Sequence, residues 1–149
     1  MDYSQYSDPT KIFEGGSGTE QDPYQIKTAD QLACFAKSVN EAQLTYEGKY
    51  IKQIEDIKLN DHLISDIDNQ IYDNHNEWHS IDDDTRYGGY AVFSGTYDGD
   101  NHTISGLYLN NDSYGDYKGM FGFTVNATIK NLTIHDAYLD TTSSVGTLV

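Results

Sequence analysis

Apolar and polar residues alternate in short stretches along most of the chain, a pattern typical of β-strands. The clearest stretch is Phe93–Leu109, FSGTYDGDNHTISGLYL. Phe93, Gly95 and Tyr97 fall on one side of an extended chain, and Asp98–Asn101 supply turn-forming residues. We therefore predict two short strands joined by a turn.

The second half of this stretch has two relatives in the chain. The pattern I-x-x-[IL]-x-[IL] occurs at 54–59, 104–109 and 129–134, so its copies are offset by 50 and 25 residues. Copies at multiples of one period indicate a chain that coils and stacks on itself. The predicted fold class is all-β, a short parallel β-helix (β-solenoid), and we expect Ile54, Ile104 and Ile129 to share one column.

One amphipathic helix is predicted before the first repeat, over residues 29–40. Thr28 is a suitable N-cap, and Gln31 three residues later completes a capping box. Leu32, Phe35 and Val39 follow at helical spacing. A helix here would cover the open end of the coil, where exposed strand edges favour aggregation. A short strand is expected just before it, over 24–26.

The rest of the chain is divided as parts of a single domain, 1–149. We expect a loose arm over 1–12, an N-terminal cap over 13–45, and β-helix coils over 46–149. An acidic insertion over 60–90 interrupts the coils, and insertions in repeat proteins often carry the binding surface. The apolar residues expected to pin it to the body are Ile64, Ile67, Ile71 and Trp78.

Composition supports a thin core. Of 149 residues, 37% are hydrophobic and the mean hydropathy is −0.65, which suits a narrow buried column better than a thick globule. The 13 tyrosines and 13 glycines favour strands and tight corners over helices. Cys34 is the single cysteine, so no intrachain disulfide forms, and its apolar neighbours predict a buried thiol.

The net charge of −15 excludes some classes of function. Binding to nucleic acid through phosphates requires clustered lysine and arginine, and an anionic membrane would repel the chain. The charge serves either solubility and salt tolerance or the imitation of nucleic acid toward a basic protein. No apolar run is long enough to span a membrane, and the first residues do not form a signal peptide.

Several motifs resemble catalytic or metal sites without matching them. The glycine-rich stretch 13–24 lacks the lysine of a phosphate-binding loop. His75 and His79 flank a glutamate that stands at the wrong position for a zinc peptidase. Asp82–Asp84 with Asp98 and Asp100 could hold calcium or form a glycosidase pair, but neither spacing is the required one. We therefore predict no catalytic residue, no metal site and no cofactor.

Motifs in a fixed order resemble those of the GLUG-repeat family. They are G-G-S-G-T-x-x-D-P-Y-x-I at 15–26, F-S-G-T-x-D-G-x-x-H-T-I-S-G-L at 93–107, G-M-F-G at 119–122 and I-K-N-L at 129–132. The closing V-G-T-L-V resembles the start of the namesake repeat. The resemblance implies a right-handed parallel β-helix, mostly found in large surface proteins of gut and oral bacteria, and implies no catalytic residue in the repeat.

The leading hypothesis is a non-catalytic binding module that engages a protein or glycan through an acidic, tyrosine-rich surface. The alternative is a small cytoplasmic inhibitor of phage type, such as an anti-CRISPR protein, that mimics nucleic acid. The corresponding locations are the cell surface and the host cytoplasm. We also expect a homodimer through an uncapped C-terminal end. The expected contact residues are Asp66, Asp68, Asp82, Asp83, Asp84, Tyr87 and Tyr90.

Overall fold

The computed structural model describes residues 8–71, 75–81, 92–110, 117–141 and 144–148. Within these residues lie two α-helices and eleven short strands. The helices are α1 (Ala29–Asn40) and α2 (Leu63–Asp68). The strands are β1 (Tyr24–Ile26), β2 (Tyr50–Gln53), β3 (Ile57–Lys58), β4 (Thr96–Asp98), β5 (Thr103–Ser105), β6 (Tyr108–Leu109), β7 (Tyr117–Lys118), β8 (Thr128–Lys130), β9 (Thr133–His135), β10 (Tyr138–Leu139) and β11 (Ser144–Val145).

All pairings between these strands are parallel, and strands that follow one another in the chain lie in different sheets. The sheet orders are β1-β2-β4-β8, β3-β5-β9, β6-β10 and β7-β11. Each sheet therefore collects one strand from each successive pass of the chain. We call these passes layers: β1 and α1 belong to the first, β2 and β3 to the second, β4–β7 to the third and β8–β11 to the fourth. The prediction of a strand-rich, parallel-stacked chain is confirmed at this level.

Two apolar columns run across the layers. Ile51 pairs with Tyr97, which pairs with Ile129. In the next sheet Ile104 pairs with Ile57 on one side and Ile134 on the other. The predicted column of Ile54, Ile104 and Ile129 is therefore wrong.

The physical reason is that several corners of the coil share one pattern. Residues 104–109 join β5 to β6, 129–134 join β8 to β9, and 54–59 lead into β3. Matching them by residue type superimposes different corners of the coil. Paired residues show the true spacing, which is 46 or 47 residues from the second layer to the third and 30 or 32 from the third to the fourth.

The helix prediction is confirmed in its bounds and its cap. The Thr28 hydroxyl accepts from the Gln31 amide at 3.2 Å, and the Gln31 side chain accepts from the Thr28 amide at 3.2 Å. Its buried face includes Leu32, Phe35 and Val39, which enter the core. The Phe35 ring lies 5.6 Å from that of Phe93 between centroids. Cys34 is half-buried at the edge of this packing, and burial raises the pKa of its thiol.

The arm predicted to be loose is ordered in its second half. Residues Pro9–Lys11 form a 3₁₀ turn, capped by the Asp8 side chain, and Ile12 is buried. The chain then runs along the outer edge of β1, where the Glu14 amide donates to the Gln25 carbonyl and the Gln25 amide to the Gly15 carbonyl, each at 2.9 Å. Because these bonds occupy the edge of β1, the first-layer end of the stack is closed.

The acidic insertion is attached by residues other than most of those predicted. Trp78 is buried and donates through its indole nitrogen to the Met120 carbonyl at 3.1 Å, as expected of an anchor. Ile64 and Ile71 are exposed, so their predicted role is wrong, and Leu63 on α2 is buried instead. Glu77 and Ile81 form parallel bridges with Tyr108 and Phe121, so this part of the insertion belongs to the second layer.

A buried glutamine ties the layers together. Gln53 is fully buried in β2, and its amide nitrogen donates to the carbonyls of Glu55 and Thr103 at 2.8 and 2.9 Å. Its side-chain oxygen accepts from the Tyr97 hydroxyl at 3.1 Å. Burial raises the pKa of Tyr97 well above its ordinary value, which keeps the hydroxyl a donor. The side chain thereby links the corner after β2 to the third layer.

We predict that Gln53→Met lowers the free energy of unfolding by about 2–3 kcal/mol, because a side chain of similar volume leaves buried polar partners unpaired. Chemical denaturation monitored by circular dichroism measures the change. Gln25→Met is the matched control, since Gln25 pairs with Lys52 on the outer face of the same sheet. It should cost less than about 0.5 kcal/mol. Equal effects of the two substitutions would contradict this assignment of Gln53.

Candidate functional site

The outer face of the β1-β2-β4-β8 sheet carries a ladder of charged side chains. Lys52 pairs in register with Asp98, and Asp98 with Lys130. Successive residues of a strand point to opposite faces, so these side chains are exposed because Ile51, Tyr97 and Ile129 point inward. Opposite charges therefore stand beside one another along the direction in which the layers stack.

Each lysine of this ladder is paired with a carboxylate. The Lys52 ammonium lies 2.9 Å from Asp100, in the turn after β4, and the Lys130 ammonium lies 3.4 Å from Asp98. All four side chains remain partly exposed, so the pairs order the surface more than they stabilise the fold.

Asp98 is the most highly connected member of the ladder. One of its oxygens accepts from the Asn131 side chain and from the Asp100 amide, both at 2.9 Å. Partial burial alone would raise the pKa of Asp98, but these hydrogen bonds and Lys130 outweigh burial and lower the pKa of the carboxyl. The group is therefore a fixed anion and acceptor at neutral pH.

The ladder forms one side of a shallow groove of about 410 Å³. The wall opposite is the loop 20–23, and Tyr50 and Thr96 lie between the two sides. The complete lining is Glu20, Gln21, Asp22, Pro23, Gln25, Tyr50, Ile51, Lys52, Ile54, Thr96, Asp98 and Lys130. We call this site the ladder groove.

The loop wall is held by its own backbone. The amides of Ser17, Gly18 and Thr19 all donate to the Asp22 carbonyl, at 3.0, 3.0 and 3.2 Å. Gly18 has a φ of +78°, and a Cβ at this position would lie 2.3 Å from the ring of Tyr24. The glycine-rich stretch therefore serves as a structural turn, and these three amides are already used within it.

The ladder groove offers donors and acceptors together. Lysine ammonium groups, carboxylates, the Thr96 hydroxyl and the Tyr50 phenol line it, while Pro23 and two isoleucines provide small apolar surfaces. Such a lining suits a ligand that carries many hydroxyl or amide groups. Because its lysines are already paired, the groove does not present a cationic site for a strongly anionic ligand.

A second cleft of about 440 Å³ lies beside α2 and receives one of the predicted contact residues. Asp66 lines it, with one carboxylate oxygen 3.3 Å from Nε2 of His75. The His75 ring is almost fully buried against Tyr108, at 5.1 Å between ring centroids. Asp68, at the end of α2, is exposed and does not line the cleft.

The other predicted contact residues lie outside the described residues: Asp82, Asp83, Asp84, Tyr87 and Tyr90. The structure therefore brings Asp66 to a cleft but does not test the acidic cluster as a whole. In the described ranges, no group of three or more histidine, cysteine or acidic side chains is arranged to hold a metal ion. Nor does any helix described there have the length and apolar character needed to cross a membrane.

The sequence analysis did not select Lys52, Asp98 and Lys130 as one site. The usable signal was strand alternation, because each of them follows a buried residue of its strand: Ile51, Tyr97 and Ile129. Bringing them together required the correct alignment of the layers. The 25-residue offset placed Ile129 opposite Ile104 instead of Tyr97.

Comparisons with known proteins agree with a strand-rich, parallel-sheet fold. No family model matches the chain. It is 28% identical over 131 residues to a protein of Evansella cellulosilytica assigned as a Gly-rich membrane protein, a match that covers 87% of this chain and 13% of that protein. Its fold is similar to the crystal structure of a Bacteroides ovatus protein assigned as an immunoglobulin A1 protease, with a TM-score of 0.53 and 23% identity. That match covers 86% of this chain and 31% of the other.

We predict that Asp98→Asn lowers the free energy of unfolding by about 0.5–1 kcal/mol near neutral pH, since the carboxylate is only partly shielded from solvent. A carboxyl whose pKa is lowered by folding stabilises the protein above its unfolded pKa, and this contribution is lost as the pH falls through the folded pKa. The difference between wild type and variant should therefore shrink on acidification.

Denaturation curves at several pH values measure this difference. Asn131→Ala, which removes one donor but keeps the charge, should retain part of the pH dependence. A wild-type to Asp98→Asn difference that stays constant from neutral to acid pH would show that the ladder does not stabilise the charged carboxylate.

Proposed function

We propose that this chain is a segment of a right-handed parallel β-helix of the GLUG-repeat kind and acts as a non-catalytic binding module for a glycan. The observation that carries the functional part is the ladder groove, in which Lys52, Asp98 and Lys130 repeat at the spacing of the strands. The stacking of parallel strands from successive passes and the similar fold of the B. ovatus protein support the β-helix.

Neutral sugars fit the chemistry of the groove. Their hydroxyl groups donate and accept, and the lining supplies carboxylate acceptors beside ammonium donors. Tyr50 adds a half-buried aromatic ring, and an aromatic ring offers an apolar face for the carbon–hydrogen side of a sugar. Because both lysines are paired, uncharged ligands lose less in binding than ligands that must displace a carboxylate.

The direction of the ladder favours an extended ligand. Neighbouring strands of a sheet lie about 4.8 Å apart, so equivalent side chains recur at that interval along the stack. A linear oligosaccharide laid across β2, β4 and β8 would meet a similar set of polar groups at each strand. A cell-surface location follows from the same proposal, and the membrane assignment of the E. cellulosilytica relative supports it.

Inhibition of a basic, nucleic-acid-binding partner is the second candidate. The observation in its favour is the net charge of −15, while Lys11, Lys27 and Lys58 are paired with carboxylates, as the ladder lysines are. Such binding would be electrostatic and would weaken steeply with salt. Binding to a neutral glycan would depend little on salt.

We predict that a glycan array detects binding of the 149-residue chain to neutral oligosaccharides. Tyr50→Ala and Lys52→Ala should each weaken the affinity about 10-fold, or about 1.4 kcal/mol, in titration calorimetry with the best array ligand. Lys58→Ala is the matched control, because Lys58 also pairs with an aspartate at 2.9 Å but lines the other cleft.

Two results would contradict the proposal. Groove variants that bind the glycan as well as wild type does would move the site elsewhere. Salt-sensitive capture of a basic protein, with no glycan bound, would favour the inhibitor.

A further inference from the structure

We propose that the fourth layer is an interaction surface through which two copies of this chain pair about a two-fold axis. The surface consists of the free side of β8–β11 together with the exposed apolar residues beside them. Incomplete burial of the columns, free backbone groups and a low local charge each support it, and the closed first layer determines its symmetry.

Burial falls off abruptly along each column at this surface. Ile51 and Tyr97 are fully buried, but Ile129 in the same column is only partly buried. Likewise Ile104 is fully buried and Ile134 is not. The inward side chains of the fourth layer thus have a covered side toward the third layer and an uncovered side away from it.

The strand edges of this layer have unused hydrogen-bonding groups. The Thr128 amide donates to the Gly95 carbonyl and the Lys130 carbonyl accepts from Gly99, so residues 128 and 130 direct these groups toward the third layer. Alternate residues of a strand direct their backbone groups to opposite sides, so those of Ile129 point away, where no strand lies among the described residues. An occupant must therefore offer strand edges of its own.

Large apolar side chains are exposed next to these edges. Tyr117 is 41% exposed and Val145 is 48% exposed, and both line a hollow of about 380 Å³. The Tyr117 and Phe123 rings lie 5.4 Å apart between centroids. Val125 and Leu148 are also exposed. A cluster of exposed apolar residues beside open strand edges is typical of a protein interface.

A second copy of the chain satisfies both requirements, and it does so in one arrangement. It offers the same strand edges and the same apolar surface. Head-to-tail stacking is excluded because residues 14–15 already occupy the edge of β1 at the first-layer end, and Phe13 is buried there. The two fourth layers must therefore meet each other, which is a two-fold contact.

Charge permits this contact in spite of the acidic chain. Residues 124–148 contain one lysine, Lys130, and two acidic residues, Asp136 and Asp140, whereas the whole chain has a net charge of −15. Electrostatic repulsion between two copies is therefore smallest if they meet through this layer.

Sedimentation velocity over a range of concentrations tests the proposal with the complete 149-residue chain. We expect a reversible monomer–dimer equilibrium, with a dimer of twice the 16.8 kDa chain mass. Val145→Lys and Phe123→Lys should each shift the chain to monomer while its circular dichroism stays unchanged. Ile71→Lys is the matched control, since Ile71 is 50% exposed but lies in the cleft beside α2, and it should still dimerise.

Hydrogen exchange gives a readout that needs no variant. The amides of Ile129, Ile134 and Leu139 should become more protected as the concentration rises, while Ile104 stays protected throughout. A monomer at every concentration, a dimer that survives both lysine substitutions, or an open-ended polymer would overturn the proposal. Protection of the three amides that is independent of concentration would also overturn it, because another segment of the same chain would then cover the edge.

Discussion

The rest of the structure depends on the stacking of apolar side chains in register across parallel strands. Each layer is too thin to bury its own core, so Tyr97 is excluded from water only because Ile51 and Ile129 lie on either side of it. Full burial of such a side chain contributes about 1.5–3 kcal/mol, and that gain requires a neighbouring layer in the correct register. The fold is therefore cooperative along the stack.

This constraint explains where the chain tolerates irregularity. The second layer is longer than the third by about half a coil, and α2 lies in the extra length, outside the apolar columns. Buried polar groups occur where a corner must be tied to the next layer. Gln53 does this with three hydrogen bonds, and Asn60 donates to the carbonyls of Asn76 and Gly106 at 2.9 and 2.8 Å. Gly106 has a φ of +74° there, and a Cβ on it would collide with the backbone of Asn60.

Local chemistry in the sequence was enough to predict local structure. The capping box at Thr28 and Gln31 fixed the helix, and alternation around Tyr97 fixed the strand and its buried side. Register was not predictable from the repeat pattern, because several corners carry the same aliphatic spacing. The ladder groove depends on that register, so Lys52, Asp98 and Lys130 appeared in the sequence as three unrelated surface residues. The buried Gln53 was also missed, since it occupies a position that alternation assigns to an apolar side chain.

The stacked columns are tested most directly by through-space proton contacts in solution. In a nuclear Overhauser experiment on the labelled chain, the backbone protons of Tyr97 should show contacts to those of both Ile51 and Ile129, and those of Ile104 to both Ile57 and Ile134. Contacts that instead join Ile104 to Ile54 and Ile129, as a uniform 25-residue repeat requires, would contradict the account, and the ladder groove would no longer exist as a site.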